Sequence, residues 1–371
     1  MRMHNANNVR TKRYYFAYLK EAQRYSEDTV DAVAKSLDRF EQFTGHRDFK
    51  AFHYEQAVAF KRYLADQRAI KSGKPLSKAT MHSTLAHLKR FFLWLAGQPG
   101  YRSQFQYTDS DYFNISEKDV RIATAQRQPR YPTIEQIKHV ISMMPSDSVV
   151  QRRNRALMAF TLLTGARDAA IVSALLKHVD IKARTFYQDA RDVRTKFSKT
   201  FKAEFFPVGK EIGEVLGAWV LELREKLLWG NDDPLFPATQ VAVSSQNRFE
   251  VVGLARKPWS TAEPMRKIFK EAFKNANLPY FNPHSFRNTL SLLGEVICKS
   301  PEEFKAWSQN LGHEAVMTTF RSYGTVSSQR QSEIMQNFSL PKANQLSDID
   351  AFAKAVAREI KKEIAKPVTV E

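Results

Sequence analysis

Tyr323 is the only tyrosine in residues 281–371, and it stands ten residues after a Leu311-Gly312-His313 turn. A helical segment just upstream carries His284 and Arg287, and far upstream Arg167 ends a Thr164-Gly165-Ala166-Arg167 turn. Residues of these types can cleave a phosphodiester. The tyrosine hydroxyl would attack phosphorus, while the cations would hold the charged non-bridging oxygens. A planar guanidinium suits that task, since it can bind two oxygens of the transition state at once. A tyrosine with a reference pKa of roughly 10 is a poor nucleophile and needs a base or a cationic field. Each residue alone has a plainer reading. His and Arg three apart are common on helices, His313 could be a cap or core histidine, and Tyr323 could be a core aromatic. The inference rests on their company and their order.

The surrounding pattern supplies elements to hold them. Asn282-Pro283 opens the helix of His284 and Arg287, with Asn282 as N-cap and Pro283 in the first position. Both side chains then share one face near a positive helix end, where a phosphate could sit. Ser300-Pro301-Glu302-Glu303 has a capping-box pattern, and Gly312 ends the helix that follows. Residues 155–163 are almost wholly apolar and read as a buried helix, with Gly165 at its C-terminal stop. Thr133 is a good N-cap for a helix starting the same region. Residues 184–208 read as strands, and helices are predicted at 210–229, 263–277, 283–297 and 301–311.

The first hundred residues have a different character. Val30, Val33, Leu37, Phe40 and Phe43 form one helical face, and Met81, Leu85, Leu88, Phe91 and Leu95 form another. The second helix carries Lys78, His82, Lys89 and Arg90 away from that face, as candidate DNA contacts. Overall, 57 Lys and Arg oppose 39 Asp and Glu, a formal net charge of +18. Residues 1–102 hold 19 of those bases against 9 acids. Such an excess favours a polyanion, and duplex DNA first of all. The aromatics among these cations are assigned to the core. No apolar run approaches the roughly 18 residues of a membrane span. The polar N-terminus lacks a signal core. The single Cys298 excludes an intramolecular disulfide and fits a reducing compartment. No Cys or His spacing suggests zinc.

With TGAR, HSFR and LGH followed by a late tyrosine, residues 131–330 resemble the tyrosine recombinase family, the phage-integrase-like enzymes. The N-terminal helices are similar to that family's core-binding domain. The resemblance implies that Arg167 and Arg287 clamp the scissile phosphate and that His284 and His313 assist proton transfer and bind the phosphate. It makes Tyr323 the nucleophile that becomes linked to a DNA 3′-phosphate. It also implies a catalytic lysine at a β-hairpin tip, donating a proton to the departing 5′-oxygen. Lys199 fits by its interval to Pro207, with Lys196 and Lys202 as competitors. The sequence departs from the family's common pattern at Ala170, where an acidic residue is usual, at Asn288, where a histidine is usual, and in the ten-residue interval to Tyr323.

The expected fold is mainly α with a small β-sheet in the catalytic domain. A flexible arm over 1–12 leads to a helical core-binding domain over 13–105 and a linker over 106–130. A catalytic domain over 131–340 and a C-terminal helix and tail over 341–371 complete the layout, the two domains forming a clamp on duplex DNA. Phe352, Val356, Ile360 and Ile364 step along one stripe of that last helix, which could dock on a neighbouring protomer. The expected function is site-specific strand exchange, with integration or excision of a mobile element as its task. The expected partners are double-stranded DNA, self-association to a tetramer on DNA and an accessory DNA-bending protein, with no membrane, no cofactor and no metal. The expected location is cytoplasmic, with the nucleoid. A chromosome-dimer resolvase or type IB topoisomerase-like enzyme would use the same residues. A catalytically silent DNA-binding or architectural protein is the alternative of another class.

Overall fold

The computed structural model describes residues 4–68, 73–125, 130–195, 199–244 and 247–313, together with Lys354 and Ala357, which are helical. The chain divides into two compact units, Met1–Gln126 and Arg127–Glu371.

The first unit is all helical. It comprises α1 (Ala6–Ala17), α2 (Glu27–Phe43), α3 (Tyr54–Asp66), α4 (Lys78–Ala96), a 3₁₀ helix (Tyr107–Phe113) and α5 (Glu117–Thr124). The two periodic faces predict their elements well: Val30, Val33, Leu37 and Phe40 on α2, and Met81, Leu85, Leu88, Phe91 and Leu95 on α4, are all buried. Their packing is aromatic. Phe52 stacks on Phe92 at 3.8 Å between ring centroids, and Phe40 meets Phe60 and Phe92 edge to face.

Two expectations fail here. Of the arm expected over 1–12, residues 6–12 belong instead to α1, which docks through polar groups as well as through the ring of Tyr15. Asn8 is fully buried; its amide donates to Glu41 Oε1 at 3.1 Å and to the Arg47 carbonyl at 2.8 Å, and its oxygen accepts from the Phe49 N–H. Apolar periodicity cannot reveal docking of this kind. Nor is 106–130 wholly a linker. Phe105 and Phe113 enter the aromatic core, and Phe113 stacks on Phe92 at 5.4 Å. Two buried rings eight residues apart anchor the segment without making a repeat.

The second unit is built around α7 (Val149–Thr164), every residue of which from Ala156 to Thr164 is buried. Before it lies α6 (Ile134–Met143), whose Thr133 and Gln136 form a reciprocal capping box. After it come α8 (Asp168–Ser173) and an antiparallel sheet of β1 (Val179–Asp180), β2 (Thr185–Gln188) and β3 (Phe201–Glu204). In the β2–β3 register Thr185 faces Glu204 and Gln188 faces Phe201. Helices α9 (Lys210–Leu221), α10 (Glu263–Asn275), α11 (Ser285–Ile297) and α12 (Pro301–Asn310) follow near their predicted positions.

Between α9 and α10, where no element is expected, β4 (Pro237–Val243) and β5 (Phe249–Pro258) form a separate two-stranded hairpin. Its valines face solvent, so it contributes little to the core. Its root is held by Arg153, which is 1% exposed. That guanidinium donates to the Pro237 carbonyl, to Thr239 Oγ1 at 2.9 Å and to Asn154 Oδ1 at 2.8 Å, and lies 4.7 Å from the centre of the Trp259 ring. Burial pushes its pKa down to about 10, so it stays charged. Among the described residues no helix is long and apolar enough to cross a membrane.

Helices α11 and α12 cross at Gly294. A Cβ there would meet Trp307 ring atoms at 2.6 Å, and the ring cannot easily yield because its Nε1–H donates to the Leu290 carbonyl at 2.9 Å. Gly294→Ala should therefore lower stability by about 1–3 kcal/mol, although alanine gains about 1 kcal/mol of helix propensity. Denaturant titration checks this, and a more stable variant would mean the two helices separate without cost.

Candidate active site

Arg167 follows directly from how α7 stops. Gly165 terminates the helix with φ of 57°, a conformation glycine adopts without strain. A Cβ on it would meet Leu311 and Leu290 methyls at 2.8 and 2.9 Å. Two residues on, Arg167 sits at the start of α8 with its side chain half-buried, and burial lowers its pKa. No described residue accepts a hydrogen bond from its guanidinium. Its neighbour Asp168 turns away and pairs with Arg266.

His284 and Arg287 come from the start of α11. Asn282 does cap, but it caps the turn before the helix. Its side-chain oxygen accepts from the Ser285 N–H at 3.0 Å, while Pro283 and His284 form the entry turn. His284 is exposed, whereas Arg287 is only 4% exposed. The Arg287 guanidinium donates to the Gly165 carbonyl, to the Leu311 carbonyl at 2.6 Å and to His313 Nε2 at 2.9 Å. Three of its five N–H groups are thus committed to the protein. Burial, with Arg167 nearby, pushes its pKa down to about 9, which leaves it charged at neutral pH.

His313 lies just past α12, where its N–H donates to the Ser308 carbonyl at 3.2 Å. Gly312 lets this turn approach the ring of Phe201, to which a Cβ would come within 2.6 Å. Asn310 adds a second tie, accepting from the Glu204 N–H at 2.7 Å and donating to its carbonyl at 2.9 Å. The LGH turn is thereby registered against β3, the strand that follows Lys199.

Arg287 can only donate, so His313 Nε2 must accept, and the ring proton resides on Nδ1. The electrostatics agree. Burial first, then Arg287, Arg167, His284 and Lys199, push the His313 pKa down to about 3. Every charged group that acts on this imidazole is a candidate from the sequence. Lys202, the competitor of Lys199, is exposed and pairs with Glu204 at 2.9 Å. Lys196, Tyr323 and the apolar stripe of 352–364 lie outside the described residues.

The candidate DNA contacts of α4 are placed differently. Lys78 pairs with Asp119 at 2.9 Å; Lys89 pairs with Asp111 at 2.8 Å and donates to Asn114 Oδ1 at 3.1 Å. Both lysines tether the segment over 107–124, which was expected to be a linker. His82 is half-buried and Arg90 exposed; burial first, then the charge of Arg90, lowers the pKa of His87. Periodicity did not identify Arg194, whose side chain and backbone bond to three distant positions, because isolated arginines carry no pattern.

Comparison with known proteins matches residues 132–330 to the phage integrase family and residues 13–98 to the phage integrase N-terminal SAM-like domain. The tyrosine recombinase XerC of Halalkalibacterium halodurans is 21% identical over 306 residues, covering 82% of this chain and 89% of its own. A lambda integrase dimer bound to a COC′ core site aligns with a TM-score of 0.58 at 12% identity, over 90% of this chain and 99% of that one. The Tn1549 transposon integrase in complex with transposon right end DNA aligns at 0.57 and 16% identity, over 89% and 99%. At these identities the structural likeness is one of fold.

A neutral His313 has a consequence for stability. Its folded pKa lies below the unfolded value near 6.5, so the unfolded chain binds the proton first as pH falls. Stability is lost progressively from about pH 6.5 toward 3. His313→Gln, which keeps an acceptor but cannot take the proton, should lose less stability between pH 7 and 4 than the wild type. Thermal unfolding across that range measures it, and parallel curves would show that His313 is not held neutral.

Proposed function

The chain belongs to the phage integrase family, whose tyrosine recombinases cleave and rejoin DNA, and on that premise we propose that it exchanges strands of duplex DNA at specific sites through a 3′-phosphotyrosine. The observation that carries this reading is the buried Arg287, which joins the turn that leads to Arg167 with the turn that ends in His313 and donates to that imidazole. A cationic cluster of this kind suits a pentavalent phosphoryl transition state, where charge grows on the equatorial oxygens.

In this mechanism Arg167 offers its guanidinium to the phosphate, and Arg287 adds its uncommitted N–H groups. His313 donates from Nδ1–H. It serves as a hydrogen-bond donor and leaves proton removal from the nucleophile to His284, which is exposed. Tyr323 Oη attacks phosphorus, the P–O5′ bond breaks, and Lys199 gives its proton to the departing 5′-oxygen. A 5′-hydroxyl from a second duplex reverses the step. Bond energy is conserved in the ester, so religation draws on no nucleotide. The basic first unit holds the duplex mainly through phosphate contacts. Synapsis of two duplexes calls for four protomers, with the stripe Phe352, Val356, Ile360 and Ile364 docking on the neighbour. Integration or excision of a mobile element is the task we assign to it.

Tyr323→Phe keeps the ring and removes the attacking oxygen. It should bind DNA like the wild type and form no covalent adduct with a nicked suicide duplex on a denaturing gel. An adduct that persists in the variant would reject Tyr323 as nucleophile. Loss of every adduct in the wild type, with binding intact, would support the silent architectural alternative.

A further inference from the structure

The connection from β2 to β3 must present Lys199 to a phosphate held elsewhere, and its described residues are held at several points. Val193 is buried, and its N–H donates to the Asp189 carbonyl at 2.7 Å. Asp192 accepts from Lys177 at 2.8 Å. On the far side the Ala190 N–H donates to Thr200 Oγ1 at 3.0 Å, closing the connection next to Lys199. A further tie of this block to the rest of the unit is Arg194. Its backbone N–H donates to Ser173 Oγ at 2.9 Å, on the short helix α8 that begins beside Arg167. Its guanidinium donates to the Ser260 carbonyl at 2.6 Å and the Trp259 carbonyl at 2.9 Å, at the foot of the β4–β5 hairpin. Trp259 is itself held by the buried Arg153.

We propose that Arg194 is a positioning residue for the general acid: with its backbone held to α8, its guanidinium braces the connection against the hairpin root and so fixes the stem from which Lys199 reaches the leaving oxygen. The proposal rests on the reading of Lys199 in the preceding section. Rigidity at this point has a chemical reason. A lysine side chain has four rotatable bonds, so its ammonium finds the departing oxygen only if the backbone beneath it is stationary. Two carbonyl acceptors suit the purpose, because they bind the guanidinium without placing a negative charge near the phosphate site. Arg194 is exposed, so shortening it leaves no cavity in the core.

The test compares single-turnover cleavage of a normal suicide duplex with one carrying a bridging 5′-sulfur. Sulfur leaves as a thiolate and needs no proton, so a defect confined to the acid disappears on that substrate. Arg194→Ala should cleave the oxygen substrate roughly a hundredfold more slowly and the sulfur substrate at close to the wild-type rate. Affinity and its salt dependence should stay unchanged. Arg194→Lys, which can reach only one carbonyl, should fall between. Lys199→Ala, measured alongside, must show the same rescue. If Lys199→Ala is rescued and Arg194→Ala is not, the positioning role is wrong while the catalytic reading stands. If neither is rescued, Lys199 is not the acid and both fall. A lower affinity with a salt slope reduced by about one would make Arg194 a phosphate contact instead, and would equally overturn the proposal.

Discussion

A buried positive charge with no carboxylate bonded to it among the described residues governs the second unit. Removing a guanidinium from water is costly unless its N–H groups find acceptors. Arg287 finds them in two backbone carbonyls and an imidazole. Those acceptors come from the end of α7 and the end of α12, so one side chain fixes three helices at one point. Their neutrality matters as much as their position. A carboxylate partner would satisfy the same donors and cancel the field that a phosphate would feel. Carbonyl dipoles satisfy them and leave the net charge in place. Gly165 is bound into this arrangement twice, as the left-handed helix stop and as the carbonyl that Arg287 reaches.

The same constraint explains the state of His313. Once Arg287 donates to Nε2, protonating that nitrogen would set two donors against each other beside several further cations. The ring remains neutral because its acceptor nitrogen is occupied, and its remaining polar hydrogen is directed by default. Burial is the first cause of its depressed pKa, and the charge of Arg287 adds to it.

Where a signal repeats, the fold could be read from the sequence. The faces of α2 and α4 and the apolar run inside α7 are periodic or continuous, and they lie where expected. The family and its helical character followed from short motifs around Arg167, Arg287 and His313, which sit at helix ends with strict turn chemistry. What stayed hidden depends on single contacts. The docking of α1 relies on Asn8, and the ordering of 107–113 relies on Phe113 entering a ring cluster. The β4–β5 hairpin hangs on Arg153 and Trp259. None of these leaves a period. The choice between Lys199 and Lys202 was open for a related reason. Neighbouring lysines look alike in sequence, which does not say that Lys202 pairs with Glu204.

The exposed hairpin also bears on how the protein behaves in bulk solution. Val241, Val243, Phe249, Val251 and Val252 are each at least 49% exposed on a ribbon that no other described strand pairs with. An edge of that kind is a template for pairing with any other extended chain. What keeps molecules apart is mutual repulsion from a net charge of +18, and that repulsion fades beyond roughly 10 Å at 0.1 M salt. High ionic strength strips polyanions from a basic surface, and it also removes the barrier that keeps these ribbons from meeting. Colloidal stability therefore has a ceiling in salt as well as a floor, set by a few valines and one phenylalanine of the hairpin.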